Sequence, residues 1–350
     1  MSLSAISLLL ALADPQSPLP AAGQNLDQFV NEFIRKNQVP GVSIVVTRRG
    51  RTVLSKGYGY ADLEHRVRMS ANSVHELASV SKQFTATSIL LLVQDGKLKL
   101  DDPLVNFADF PPAAWKAITI RHLLQHTSGL PDYLANSSDI RTEATTTELL
   151  AAVAKKPLVF APGSKFEYSN TGYMALGHII AKVSGKSATE FVIERIAKPL
   201  GMTQTYANDP RAIIPNRAIG YTLENKKLVL EDYTSRSYSM TADGHLLSSA
   251  RDLAKWGDAL RAKKLIRPDL AAEAWTGSAV SNGTYGFGWG TARKNGKLRL
   301  VHTGGWYGTS TFLMTAIDEG VTIAILANTD SAEMNPFLQR VVEEFLPPEK

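Results

Sequence analysis

Residues 77–86 read Leu77-Ala78-Ser79-Val80-Ser81-Lys82-Gln83-Phe84-Thr85-Ala86. At the start of a helix, Ser79 and Lys82 stand three apart and share a face. A serine hydroxyl is a poor nucleophile until a neighbouring base takes its proton, and an amine one turn away can do this. The helix start adds a field that favours negative charge developing nearby. S-x-x-K arises readily by chance, but this is its only occurrence in the chain, and it opens a helix predicted over 79–94, stopped at Asp95-Gly96.

Outward from this segment the two chain ends read as β-rich. Leu26, Phe29, Val30, Phe33 and Ile34 fall on one face of a helix over 25–35, closed by Pro40-Gly41. Residues 42–47 and 52–58 form a hairpin around Arg49-Gly50. At the far end, 285–293 and 298–303 flank Asn295-Gly296, a strong hairpin signal. Residues 310–317 and 321–327 flank Asp318-Glu319-Gly320, and a helix over 336–345 follows. Between the ends, 118–125, 147–154, 171–183, 188–197 and 250–261 read as helices. The pattern predicts an α/β (α+β) fold: a mainly antiparallel sheet formed by both chain ends, flanked by helices, with an inserted all-helical region. Residues 22–350 are read as a single catalytic domain. Its sheet subdomain is 22–75 plus 285–350, its helical subdomain is 76–284, and the site lies in the cleft between them.

Composition narrows the function classes. Of 350 residues, 44% are hydrophobic and 20% charged, ordinary usage for a packed core. The net charge of +5 is spread over short groups such as Arg48-Arg49 and Lys263-Lys264, which argues against a nucleic-acid partner. With no cysteine, disulfides, thiolate nucleophiles and Cys-based zinc sites are excluded. No H-E-x-x-H and no G-x-S-x-G occur, so neither a catalytic metal, another cofactor nor an α/β-hydrolase elbow is expected. Residues 3–13 are apolar and end in Ala11-Leu12-Ala13 before a Pro-rich stretch, so 1–21 read as a signal-peptide remnant or a disordered arm. A periplasmic or secreted protein without a stable membrane span is expected, the apolar run being too short to cross a bilayer.

The decapeptide resembles the nucleophile segment of the serine β-lactamase and penicillin-binding-protein superfamily, including the class C β-lactamase-like, DD-peptidase and family VIII esterase group. That group orders S-x-x-K, then a Tyr- or Ser-x-Asn element, then K-T-G or a variant. The resemblance continues through Arg121-His122-Leu123-Leu124, His126-Thr127-Ser128-Gly129-Leu130, Pro162-Gly163, residues 199–202 and residues 285–289, and covers roughly 25–345. It implies a β-lactamase/transpeptidase-like fold and an acyl-enzyme on Ser79.

Two stretches fit the second element. Tyr168-Ser169-Asn170 follows Pro162-Gly163 and leads into a helix, as in the family, so Tyr206-Ala207-Asn208 is taken as a structural decoy in a loop. The resemblance makes Tyr168 the partner of Lys82 in proton transfer, with the general base left open between them, and gives Asn170 hydrogen bonds to substrate and to Lys82. His302-Thr303-Gly304-Gly305 fits the third element, and His126-Thr127-Ser128-Gly129 is read as scaffold. His302 and Thr303 are then expected to line the cleft and contact a carboxylate or leaving group. Gly304 would let substrate approach closely, and the Gly305 and Ser79 N–H groups would form the oxyanion hole. An unperturbed histidine at position 302 is mostly neutral at pH 7.5, so anionic β-lactams are attracted less than by the lysine many relatives carry.

Taken singly, Ser79 reads as a helix cap, Lys82 as surface charge, Tyr168 as a core aromatic and His302 as a satisfied strand residue. Three elements in order favour a serine hydrolase acting on an ester or a D-amino-acid amide or peptide: an esterase, a DD-peptidase-like enzyme, or a weak β-lactamase. A non-catalytic penicillin-binding or scaffolding homologue is the alternative. The expected partner is a small-molecule or peptide substrate, with oligomeric state open.

Overall fold

Side-chain alternation along the first strand accounts for how the chain ends meet. Val42, Ile44 and Val46 point to one face, while Ser43, Val45 and Thr47 point to the other. The computed structural model describes residues 25–109, 111–136 and 139–346. The expected signal remnant or arm over 1–21 lies outside them.

The long helices are α1 (Leu26–Lys36), α2 (Ser81–Gln94), α3 (Asn170–Ser184), α4 (Ala250–Arg261) and α5 (Asn335–Phe345). The strands from the amino-terminal side are β1 (Gly41–Arg48), β2 (Arg51–Asp62), β3 (Val67–Arg68) and β4 (Val74–Glu76). Next come β5 (Tyr206–Ala207), β6 (Tyr221–Glu224), β7 (Lys227–Leu230) and β8 (Leu246–Ser249), followed by β9 (Gly290–Lys294), β10 (Lys297–Trp306), β11 (Thr309–Ala316) and β12 (Val321–Ala327).

The main sheet has seven strands in the order β3-β2-β1-β12-β11-β10-β9, with antiparallel neighbours throughout. Its centre is the pairing of β1 with β12, which sets Val42 opposite Ala327 and Ile44 opposite Ile325. One face packs Val42, Ile44, Phe312, Met314 and Ile323 against Val30 of α1 and Phe337 and Val341 of α5. The Phe33 and Phe337 rings meet there at 4.6 Å. On the other face, Val45, Leu313, Ala324 and Leu326 join the larger core with Trp256 of α4. A Cβ on Gly257 would fall 2.4 Å from Thr322 Cγ2, so glycine lets α4 lie directly on the sheet.

The helix ends follow from local chemistry. The Asn25 side chain caps α1 by accepting from the Gln28 N–H at 2.8 Å, and Ser169 caps α3 by accepting from the Gly172 N–H at 3.2 Å. Gly185, with φ of 72°, ends α3. Residues 81–92 of α2 are buried all round, which makes it the central helix.

The predicted elements need correction in five places. The inserted region is not all-helical: β4, β8 and β5 form a three-stranded sheet, and β6 and β7 a hairpin. These strands run only two to four residues, too short for a two-residue period to register. Tyr206, expected in a loop, sits in β5 and bonds the Thr203 carbonyl through its hydroxyl. Residues 285–289 are a buried loop rather than a strand, because a Cβ on Gly286 would fall 2.1 Å from the Ala274 carbonyl and Gly288 has φ of +81°. The helix predicted from 79 begins at Ser81, preceded by a tighter turn at Ala78–Val80, and the one over 188–197 splits into Ala188–Val192 and a wider turn at Ile193–Ala197. Among the described residues no helix is long and apolar enough to cross a membrane.

Candidate active site

The turn carrying Ser79 is bolted to the start of β11, an inner strand of the main sheet. The Thr309 hydroxyl donates to the Glu76 carbonyl at 3.1 Å, and the Thr311 hydroxyl donates to the Leu77 carbonyl at 2.9 Å. Ala78 takes φ of +46°, a left-handed conformation that costs a non-glycine residue about 1–2 kcal/mol. No sequence signal marks this strain, which reverses the chain immediately before the nucleophile.

Lys82 is fully buried. Its Nζ donates to Ser79 Oγ at 3.1 Å, Asn170 Oδ1 at 2.9 Å and the Asp243 carbonyl at 3.0 Å. Three acceptors match the three protons of an ammonium group. The Asn170 amide is oriented in turn by Asp132, whose Oδ2 accepts from the Asn170 backbone N–H at 2.9 Å and from Nδ2 at 3.2 Å. With Nδ2 tied to a carboxylate, Oδ1 must face Lys82. Asp132 and Asp243 give no spacing signal in the sequence, each being an isolated aspartate in a loop.

Tyr168 lines the cleft with Ser79 and Asn170. Lys82 Nζ lies 4.9 Å from its ring centroid, and the hydroxyl has no hydrogen-bond partner among the described residues. Burial raises the Asp243 carboxyl above its usual range, against the pull of the Lys82 charge.

The third element is placed differently from expectation. His302 is buried, not cleft-lining. Its Nδ1 lies 2.6 Å from the Thr303 carbonyl, so it must carry the proton, and Nε2 then accepts from the Tyr285 hydroxyl at 2.9 Å. Burial, then the Lys82 charge, depress its pKa to about 3, so it stays neutral behind the Tyr168 ring. Thr303 is half-buried and is not part of the cleft lining. Gly304 serves the backbone rather than the substrate, because a Cβ there would fall 2.3 Å from the Leu77 carbonyl and 3.1 Å from Ser79 N. Gly305 lines the cleft beside Ser79, Ala78 and Trp306.

The cleft encloses about 900 Å³. Tyr133, Tyr238, Trp306 and Tyr307 give it aromatic walls, and six acidic side chains, Glu76, Asp132, Asp139, Asp232, Asp243 and Asp330, line it beside one guanidinium, that of Arg141. Arg141 is itself bonded to Asp232. Asp62, Glu64 and His65 form the metal-capable group found among the described residues, and none of them lines the cleft.

Comparison with known proteins places the chain by family and fold. The family model for beta-lactamase covers residues 26–344. Protein flp of Staphylococcus aureus strain N315 is 30% identical over 324 residues, covering 88% of this chain, while the chain spans 63% of that relative's length. The octameric penicillin-binding protein homologue from Pyrococcus abyssi superposes with a TM-score of 0.78 at 29% identity, covering 92% of this chain and 76% of that one. A D-stereospecific amidohydrolase from Streptomyces sp. gives a TM-score of 0.79 at 25% identity, covering 92% of this chain and 98% of that one. In extent, fold and similarity, the chain belongs to the beta-lactamase family.

Proposed function

We propose that this chain is a serine hydrolase that forms an acyl-enzyme on Ser79, and that its substrates are D-amino-acid amides, short D-peptides or neutral esters rather than anionic β-lactams. The observation that carries the reading is the 3.1 Å contact of Lys82 Nζ with Ser79 Oγ, made by a lysine whose other two contacts are fixed oxygens. In the reactive form Lys82 has given one proton to solvent, and its lone pair takes the Ser79 proton as Oγ bonds to the substrate carbonyl carbon and the C=O π pair moves onto the oxygen. Tyr168 relays a proton to the departing nitrogen or oxygen as its bond to that carbon breaks. Water then hydrolyses the ester by the reverse relay. The Ser79 and Gly305 N–H groups are assigned to the oxyanion, whose charge exists only in the transition state.

The substrate class rests on charge. Five aspartates and Glu76 in the cleft lining against one paired arginine disfavour a carboxylate-bearing acyl donor, and neutral His302 adds no attraction. The D-stereospecific amidohydrolase likeness supports the amide branch. Export from the cytoplasm belongs to the same reading, supported by the apolar residues 3–13.

A parallel screen of D-amino-acid p-nitroanilides, p-nitrophenyl esters, D-Ala–D-Ala peptides and nitrocefin tests this proposal. Turnover of an amide or ester faster than nitrocefin supports it. Probe labelling without turnover of any substrate would favour the non-catalytic penicillin-binding homologue.

A further inference from the structure

We infer that His126 is a positioning residue for Tyr168, clamping it from three directions. The inference rests on the catalytic role proposed for Tyr168. The His126 carbonyl accepts from the Glu167 N–H at 2.9 Å, and its Nδ1 accepts from the Ser169 N–H at 3.0 Å. Both chain neighbours of Tyr168 are therefore tied to one residue, whose ring also packs on the Tyr168 ring with centroids 4.2 Å apart and planes 31° apart. Tyr173 and Tyr285 close the far sides of the imidazole at 5.0 and 4.7 Å, so the ring cannot swing away.

Two costs mark this residue as more than filler. His126 holds φ of +57°, in the left-handed region that side chains rarely adopt. An Nδ1 that accepts leaves the proton on Nε2, and that buried nitrogen has no partner among the described residues. Such features persist where the surroundings over-determine the conformation, and they cluster at functional sites. Burial, then the nearby Lys82 charge, hold the imidazole well below its usual pKa range, which keeps Nδ1 an acceptor at neutral pH. Protonation would set an N–H against the Ser169 N–H and release the clamp.

The test separates the clamp from simple packing. His126→Asn keeps a short acceptor and tolerates the left-handed backbone but drops the ring, whereas His126→Phe keeps a ring and loses the acceptor. Each is made alone and on a Tyr168→Phe background, with kcat and KM on the best substrate of the screen, labelling rate with a fluorophosphonate, and circular dichroism. Single variants should lose about 10–100-fold in kcat with KM within about twofold, the scale of a small misplacement of a reacting group. On the Tyr168→Phe background neither should lower the residual rate by more than about twofold. Equal losses in both backgrounds would overturn the positioning role, as would full kcat in both folded single variants. Should His126→Phe fail to fold, the Asn variant alone still decides. Full activity of Tyr168→Phe would overturn the role of Tyr168 itself along with the clamp. Loss in Tyr168→Phe beside normal His126 variants would overturn the clamp alone.

Discussion

Asp132 grips Asn170 at two points, accepting from its backbone N–H at 2.9 Å and from its side-chain Nδ2 at 3.2 Å through a single carboxylate oxygen. The second contact decides which end of the amide meets Lys82. Without it the amide can turn its NH₂ towards the ammonium and lose the 2.9 Å bond from Nζ. Asp132→Ala should therefore lower kcat by about 10–100-fold, the scale of leaving a buried polar group unsatisfied (~1–3 kcal/mol). Steady-state kinetics on a variant with unchanged circular dichroism checks this; full activity would mean that Asn170 is held by other contacts.

His302→Lys tests whether position 302 selects substrate. From sequence, a lysine there promised attraction for β-lactam carboxylates. In the structure the side chain is enclosed, bonded to Tyr285 and to the Thr303 carbonyl, so a lysine would bury an ammonium and leave the Tyr285 hydroxyl without its acceptor. The expected outcome is a melting temperature lower by roughly 5–10 °C, with the nitrocefin-to-ester rate ratio changed less than about threefold. A stable variant with a ratio shifted tenfold towards nitrocefin would restore the substrate-contact role.

Glu76 gives the fold a pH dependence with a defined sign. Burial, reinforced by the Glu231 charge, raises its pKa to about 8, and burial raises Glu231 to about 7. Both native pKa values lie above the unfolded values, so the folded state holds more protons, and stability falls as pH rises from about 4.5 through about 8. Glu76→Gln keeps the shape and removes the titration. Its melting temperature should decline less than the wild type's between pH 5 and 8.5, and parallel curves would refute the assignment. Buried His75, His245 and His302, each depressed to about 3, act the opposite way, losing stability as pH falls from about 6.5 towards 3.

Much of the architecture was legible because its signals are local. Arg49-Gly50 and Asn295-Gly296 turn two hairpins with positive φ at all four residues, and the apolar run of β1 suits an inner strand buried on both faces. Ser79, Lys82, Tyr168 and Asn170 lie close together, and the spacing and order of the motifs pointed to each of them. Other features depend on tertiary approach. Residues 285–289 alternate glycine with aromatic residues as a strand might, yet the glycines serve to admit the Ala274 and Lys82 carbonyls. His302 sits where the third motif predicts, but the direction of its side chain is set by Tyr285, seventeen positions earlier. Asp132 and the strained Ala78 carry no sequence signal at all.

Ser79 is the residue that the proposed acyl-enzyme chemistry modifies. Intact-mass spectrometry after fluorophosphonate treatment, followed by peptide mapping, reads this without knowledge of the natural substrate. A single adduct on the peptide containing Ser79, absent from Ser79→Ala together with a loss of turnover by several orders of magnitude, is the predicted result. An adduct on another residue, or equal labelling of Ser79→Ala, would contradict it.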